Sequence, residues 1–332
     1  MNRLVIIGNG FDIAHGLHTK YSNFMQYLQA FEKEPKHFMG DFFYLDSITP
    51  HDQEKHRFFE AISKYIPEYD LWNSFEDALG ILDDEQVQND NSCYYIDYGD
   101  ENWRDSANHD YQYMIGEDLS FASDIPKYFS EWITKISTQA LPIVSPQIIN
   151  KNCLFLNFNY TDTLEKVYGI PTNRITYIHG NALRGDKLIL GHHDDTLFQE
   201  KPLPVFNSEE EWELYCDNQN GDFRIGEAKQ IIEEYFKETY KNTSSIIRHN
   251  HFFFEALPPT DEIYILGHSL SAIDFDYFVE VRKFVSPTCK WYISYYSQDD
   301  FYKAQNLVKA LGLQSYQLIT FAEINETAGR DN

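Results

Sequence analysis

The stretch "LVIIGNGFDIAHGLHTKY", residues 4–21, sets four apolar residues ahead of a glycine turn. A short apolar run rich in β-branched residues and closed by Gly8 reads as a buried strand. Apolar character on both faces is the habit of a parallel sheet covered by helices. Gly8, Asn9, Gly10 and Phe11 then make a turn whose backbone N–H groups can approach a phosphate or a ribose. Asp12 is the residue out of place, because a carboxylate beside a diphosphate costs Coulomb energy. It is better suited to accept hydrogen bonds from ribose hydroxyls or from the loop's own N–H groups. The third glycine of the usual dinucleotide fingerprint would fall at Ile13 and is missing. A tight strand-to-helix turn capped by Asp12 explains the same residues without a ligand, and both readings stand. No G-x-x-x-x-G-K-[ST] occurs, which argues against an ordinary P-loop ATPase.

The same alternation recurs along the chain. Apolar runs at 153–158, 175–178, 187–192, 262–267, 290–296 and 316–320 read as strands. Helical patterns lie near 54–66, 70–82, 118–140, 208–216, 225–241 and 299–311. A long, mostly helical stretch from about 20 to 140 separates the first strand from the second. It carries an acidic segment, 83–110, in which Arg104 is the sole Lys or Arg. That segment reads as a surface loop or a partly ordered insertion. The expected fold is α/β: one domain over 1–332, a Rossmann-like open parallel sheet with a large helical insertion after the first strand.

Composition narrows the function classes. With 27 basic against 52 acidic residues the net charge is −25. Such a field repels nucleic acid and anionic membranes, which disfavours a nucleic-acid-processing enzyme. No stretch approaches the ~20 apolar residues of a membrane span. Cys93, Cys153, Cys216 and Cys289 are dispersed with no CxxC pair, so a zinc ribbon or a thioredoxin motif is not expected. Dispersed thiols and the absence of a secretory signal point to a cytoplasmic protein.

In an open α/β sheet, ligands gather at the carboxyl ends of the strands. Three further strand ends carry polar residues. Asn157 and Asn159 leave "NFNYTDTLE", His179 ends "YIHG", and "LGHSLSAIDFD" offers Gly267, His268, Ser269 and Asp274. Each has a bland reading as a turn former, a satisfied histidine or a helix cap. Four such ends in one sheet favour a shared site, with Gly8, Gly10, Asp12, Asn159, His179 and Ser269 lining one cleft. Substituting Asn159 or His179 there should cost little stability, about 1–2 kcal/mol. "GHHDD" places His192 and His193 beside two aspartates, but neighbours on an extended segment face opposite ways, so no metal is expected.

The order of these four pieces resembles the bacteriophage abortive infection AbiH family across nearly the whole length. The matching residues are "IIGNGFDIAHGLHTKYSNF", "NFNYTDTLE", "IHG" and "LGHSL" followed by Asp274. More distantly it resembles the sirtuin-like NAD-binding fold. Gly8-Asn9-Gly10-Phe11-Asp12, Asn159-Tyr160-Thr161, His179-Gly180 and Gly267-His268-Ser269 fall where that family has its glycine loop, asparagine-x-aspartate, histidine-glycine and later glycine-x-serine. Asp12 replaces the family's serine, His18 its proline and Thr161 its aspartate, and the zinc cysteines of the deacylases are absent. The resemblance implies an antiphage protein with NAD as substrate or ligand and cleavage of the nicotinamide–ribose bond. It implies catalytic roles for Asn159 and His179. Nucleotide binding would fall to Gly8, Asn9, Gly10, Phe11, Asp12, Gly267, His268, Ser269 and Asp274. A non-catalytic nucleotide-sensing or interaction module in phage defence, built on the same residues, is the alternative. A phage-derived trigger and a homo-oligomer are compatible with either.

Overall fold

The computed structural model describes residues 2–30, 49–67, 71–72, 74–199, 208–209, 211 and 222–329. The helix expected near 208–216, and with it Cys216, falls almost wholly outside the described residues. The chain divides into two compact units. The first comprises Met1–Phe24, Pro126–Leu190 and Lys241–Asn332; the second comprises Met25–Ile125 and Gly191–Tyr240.

The first unit holds a six-stranded sheet in the order β3-β2-β1-β4-β5-β6. Its strands are β1 (Arg3–Ile7), β2 (Leu154–Asn157), β3 (Ile175–Tyr177), β4 (Glu262–Leu266), β5 (Lys290–Tyr295) and β6 (Tyr316–Thr320). Every neighbouring pair is parallel. The side-chain period of two explains why the central strands are apolar on both faces. Leu4 and Ile6, with Ile263, Ile265, Trp291 and Ile293, pack into one hydrophobic layer. Val5 and Ile7, with Tyr264, Leu266 and Tyr292, pack into another. Both faces are therefore buried. The helix Phe275–Phe284 contributes Tyr277, Phe278 and Val281 to the first layer. Strand order reverses between β1 and β4, which makes the carboxyl ends of these two strands the topological switch point of the sheet.

The segment 187–192 is not a strand. Only His192 makes an isolated bridge, to Tyr240 in the second unit. Leu188 and Leu190 are buried, which produces the alternating pattern, but the backbone of Ile189 is satisfied without a ladder. Its N–H donates to the His179 carbonyl and its carbonyl accepts from the Tyr160 hydroxyl, both at 3.0 Å.

In the second unit the described residues are mainly helical, with Pro50–Tyr65, Asp84–Asp90, Asp110–Leu119 and Phe223–Glu238 among the helices. The acidic segment 83–110 is ordered rather than a simple loop. It forms the helix Asp84–Asp90 and two 3-10 turns, Ser92–Tyr94 and Asp105–Asn108. The organiser is Arg224, which is fully buried. Its guanidinium donates to the carbonyls of Ile96 (2.8 Å) and Ala107 (3.2 Å) and pairs with Asp222. The rings of Tyr95 and Tyr98 lie 4.2 and 4.6 Å from its central carbon. A cation desolvated among aromatic faces and carbonyls satisfies many backbone acceptors at once.

Candidate functional site

Helix α1 (Asn9–Ala14) follows β1 with only Gly8 between, and Gly8 is its N-cap. Asp12 is therefore not the cap; it sits inside the helix. The glycines serve a loop-to-loop contact. The Gly10 N–H donates to the Gly267 carbonyl at 2.7 Å. A Cβ on Gly8 would lie 2.7 Å from His268 Cα, and one on Gly267 would lie 2.2 Å from the Phe11 nitrogen. Gly267 also has φ +63°, a conformation natural to glycine. The loops after β1 and β4 thus touch backbone to backbone. Asn9 Nδ2 donates to the Thr19 carbonyl at 2.8 Å, and Phe11 is a core residue.

The two histidines of the opening stretch separate. His18 is exposed. His15 Nδ1 lies 2.7 Å from the Phe11 carbonyl and Nε2 lies 2.7 Å from the Tyr168 hydroxyl. The Tyr168 oxygen already accepts from the N–H groups of Ile143 and Val144, so its hydrogen goes to His15 Nε2. His15 then donates from Nδ1 and is neutral, and burial lowers its pKa, opposed by the Phe11 carbonyl. It is a brace for α1.

Asp12 is 1% exposed. Its Oδ2 accepts from Thr161 Oγ1 at 2.5 Å, and Thr161 Oγ1 lies 3.2 Å from Thr163 Oγ1. Asp12 Oδ1 is buried without a hydrogen-bond partner. Burial pushes the carboxyl up to about 6, against the hydrogen bonds of Thr161, Thr163 and Asn159. Asn159 is engaged too: its Nδ2 donates to the Gly8 carbonyl at 3.0 Å and its N–H donates to Asn157 Oδ1 at 2.8 Å.

A second group adjoins this one through the contact of Gly8 with His268. Asp274 is its hub. Lys241 Nζ stands 3.0 Å from Asp274 Oδ1, His179 Nε2 3.7 Å from the same oxygen, and His268 Nε2 3.5 Å from Oδ2. All four residues are buried. His268 Nδ1 accepts the Leu270 N–H at 2.9 Å, so its proton is on Nε2, toward the carboxylate. His179 Nε2 lies 3.3 Å from the Tyr277 hydroxyl. The Phe158 ring stands edge-on to both imidazoles, with centroids at 5.2 and 4.4 Å. Burial would raise the Asp274 carboxyl, but Lys241, His179 and His268 outweigh it and hold it below its ordinary value. Burial and then the Lys241 ammonium push His179 well below the usual imidazole range, against the pull of Asp274. Burial likewise takes His268 to about 4. Both rings are neutral near pH 7 beside an ionised carboxylate. Leu270, between His268 and Asp274, has φ +52°, the one non-glycine residue with positive φ among the described residues. Such strain costs about 1–3 kcal/mol and gathers at functional sites.

Of the residues read from the sequence, Gly8, Gly10, Asp12, Asn159, Gly267, His179, His268 and Asp274 form one contiguous set, buried except at the half-buried Gly10 and Gly267. Ser269 is exposed. Lys241 and Tyr277 were missed, because neither lies in a local pattern that marks it. His192 is buried in the second unit, with Nε2 2.9 Å from the Phe236 carbonyl, while His193 is exposed. Among the described residues no group of three or more His, Cys, Asp or Glu could hold a metal ion, and no helix is long and apolar enough to cross a membrane.

Neither the curated proteins nor the solved structures contain a match to this chain. The family described as "Bacteriophage abortive infection AbiH" matches it over residues 4–295. A match of that extent, carrying the ends of β1 to β5, establishes that the chain belongs to the AbiH family.

Proposed function

We propose that this protein acts in abortive infection of bacteriophage by binding NAD or a related nucleotide at the carboxyl edge of β1, β2, β3 and β4, and by cleaving the nicotinamide–ribose bond. The observation that carries the reading is His179, buried beside Asp274 and Lys241 at the end of β3. Buried ionisable groups with displaced pKa values gather at functional sites. The strand order 3-2-1-4-5-6 is that of doubly wound dinucleotide binders, whose ligands sit at the switch point.

The chemistry follows from the charges. The bond from the ribose anomeric carbon to the nicotinamide nitrogen breaks with its electron pair going to the ring, which becomes neutral. The anomeric carbon becomes oxocarbenium-like, as in glycoside hydrolysis. A water attacks that carbon and gives its proton to the unprotonated Nε2 of His179. An imidazole kept neutral at physiological pH suits this base role. Asn159 would orient the water or a ribose hydroxyl. The glycine turn contributes less to phosphate binding than its sequence suggests, since the N–H groups of Gly10 and Phe11 already donate to Gly267 and Gly8.

A second reading, a nucleotide sensor without turnover, is favoured by the closure of the site: Asp12, Asn159, His179 and Asp274 are all buried. The two are separated by incubating the protein with NAD, with and without phage lysate, and following bound NAD, nicotinamide and ADP-ribose by chromatography. Release of nicotinamide supports the enzyme; NAD retained intact supports the sensor; neither binding nor release rejects both.

A further inference from the structure

Lys241 belongs to no motif of the sequence, yet it is the cation of the buried group around Asp274. Its ammonium is 1% exposed and lies 3.0 Å from Asp274 Oδ1. The same carboxylate faces two imidazole nitrogens at 3.7 and 3.5 Å. A carboxylate so close to an imidazole ordinarily draws a proton onto the ring. The ammonium is the more basic group and lies nearest to the carboxylate. The other described neighbours of His179 are uncharged: the Phe158 carbonyl, the Tyr277 hydroxyl, the edge of the Phe158 ring and, at 6.2 Å between ring centroids, Tyr160. His268 is met by Phe158, Phe278 and the Leu270 N–H.

We propose that Lys241 is a positioning residue: by taking up the charge of Asp274 it keeps both His179 and His268 neutral, so that Nε2 of His179 is available as a base. The inference rests on the proposed role of His179 for its catalytic meaning. The electrostatic arrangement itself does not depend on turnover. Without the ammonium, the buried carboxylate would be left unpaired, which is strongly unfavourable. A proton taken up on one imidazole would then replace the missing charge.

The experiment is an NMR titration of the imidazole resonances in the full-length protein, comparing wild type with Lys241→Met and Lys241→Arg. In wild type both rings stay neutral from pH 8 to about pH 5, below the ordinary imidazole midpoint of roughly 6.5. Lys241→Met keeps the stem volume and loses the charge, so at least one ring should titrate at or above that ordinary midpoint. Lys241→Arg keeps the charge and should restore the wild-type silence. If Lys241→Met is too unstable at pH 8, the sign of its stability decides. A histidine whose folded pKa is raised contributes stability below its unfolded pKa and loses it as pH rises through the folded one. The variant should then fold at pH 5.5 and not at pH 8. Failure to fold at both values, or two silent rings in a folded Lys241→Met, overturns the proposal. Absence of NAD cleavage in wild type with a normal titration result rejects the enzymatic reading alone.

Discussion

The Gly10 amide donates to the Gly267 carbonyl over 2.7 Å, bonding the first turn of α1 to the loop after β4 at the switch point of the sheet. The contact leaves no room for a side chain on Gly267, whose added Cβ would meet the backbone of Phe11 and Gly10 at 2.2 and 2.4 Å. Gly267→Ala should destabilise the protein by roughly 2–6 kcal/mol, from the left-handed backbone and the overlap together. Urea denaturation reads this. A change below about 1 kcal/mol would mean that the two loops are not in contact.

Asp12 is a stability liability with a definite pH signature. Its folded pKa, about 6, lies above the ordinary 3.8. The folded state therefore binds a proton more tightly than the unfolded one. The associated stability is fully present below about pH 4 and is lost as pH rises through about 6. Asp12→Asn keeps an acceptor for Thr161 and removes the buried charge. It should raise stability at pH 7.5 by on the order of 2–3 kcal/mol, with the gain vanishing near pH 4. Melting temperatures of both proteins across pH 4–8 check it; a pH-independent difference would contradict it.

Arg224 holds the acidic segment of the second unit. Arg224→Met should cost about 3–5 kcal/mol, since it strands Asp222 and the Ile96 and Ala107 carbonyls. Limited proteolysis should then open new cleavage sites between Tyr95 and Asn108. Unchanged protease resistance would show that the segment is held by other contacts.

His179 and Asn159 differ in what their removal does. From the sequence both were strand-tip groups of small structural cost. In the structure His179 is 2% exposed among Phe158, Tyr160 and Tyr277, so His179→Ala should leave a void and cost about 2–4 kcal/mol. Asn159→Ala removes the bond to the Gly8 carbonyl and the support given to Asp12, and should cost about 1–2 kcal/mol. Chemical denaturation of the two variants side by side tests the order. His179→Gln, which fills more of the space, is the better probe of chemistry.

What was legible in the sequence followed short-range rules. Leu4–Ile7 and Ile263–Leu266 are apolar on both faces, which marks a central parallel strand whatever surrounds it. Gly8, Gly10 and Gly267 were legible as special backbone positions, but not as partners, because their contact joins residues more than 250 apart in the chain. Leu188 and Leu190 imitated a strand since burial alone produces alternation. The acidic segment read as loop because the residue that orders it, Arg224, lies more than 100 residues later. Lys241 was invisible for a similar reason: only the fold brings an ammonium from a helix–helix connection to the carboxylate of Asp274.

The most direct measurement is the rate of nicotinamide release from NAD by purified wild-type protein, with phage lysate present and absent, beside His179→Gln of matched melting temperature. The expected result is release by wild type and a 10²–10⁴-fold lower rate in the variant, the usual loss when a general base is removed. Equal release by both would remove His179 from the chemistry. No release by wild type under either condition, with NAD still bound, would contradict the enzymatic account and leave a nucleotide sensor in its place.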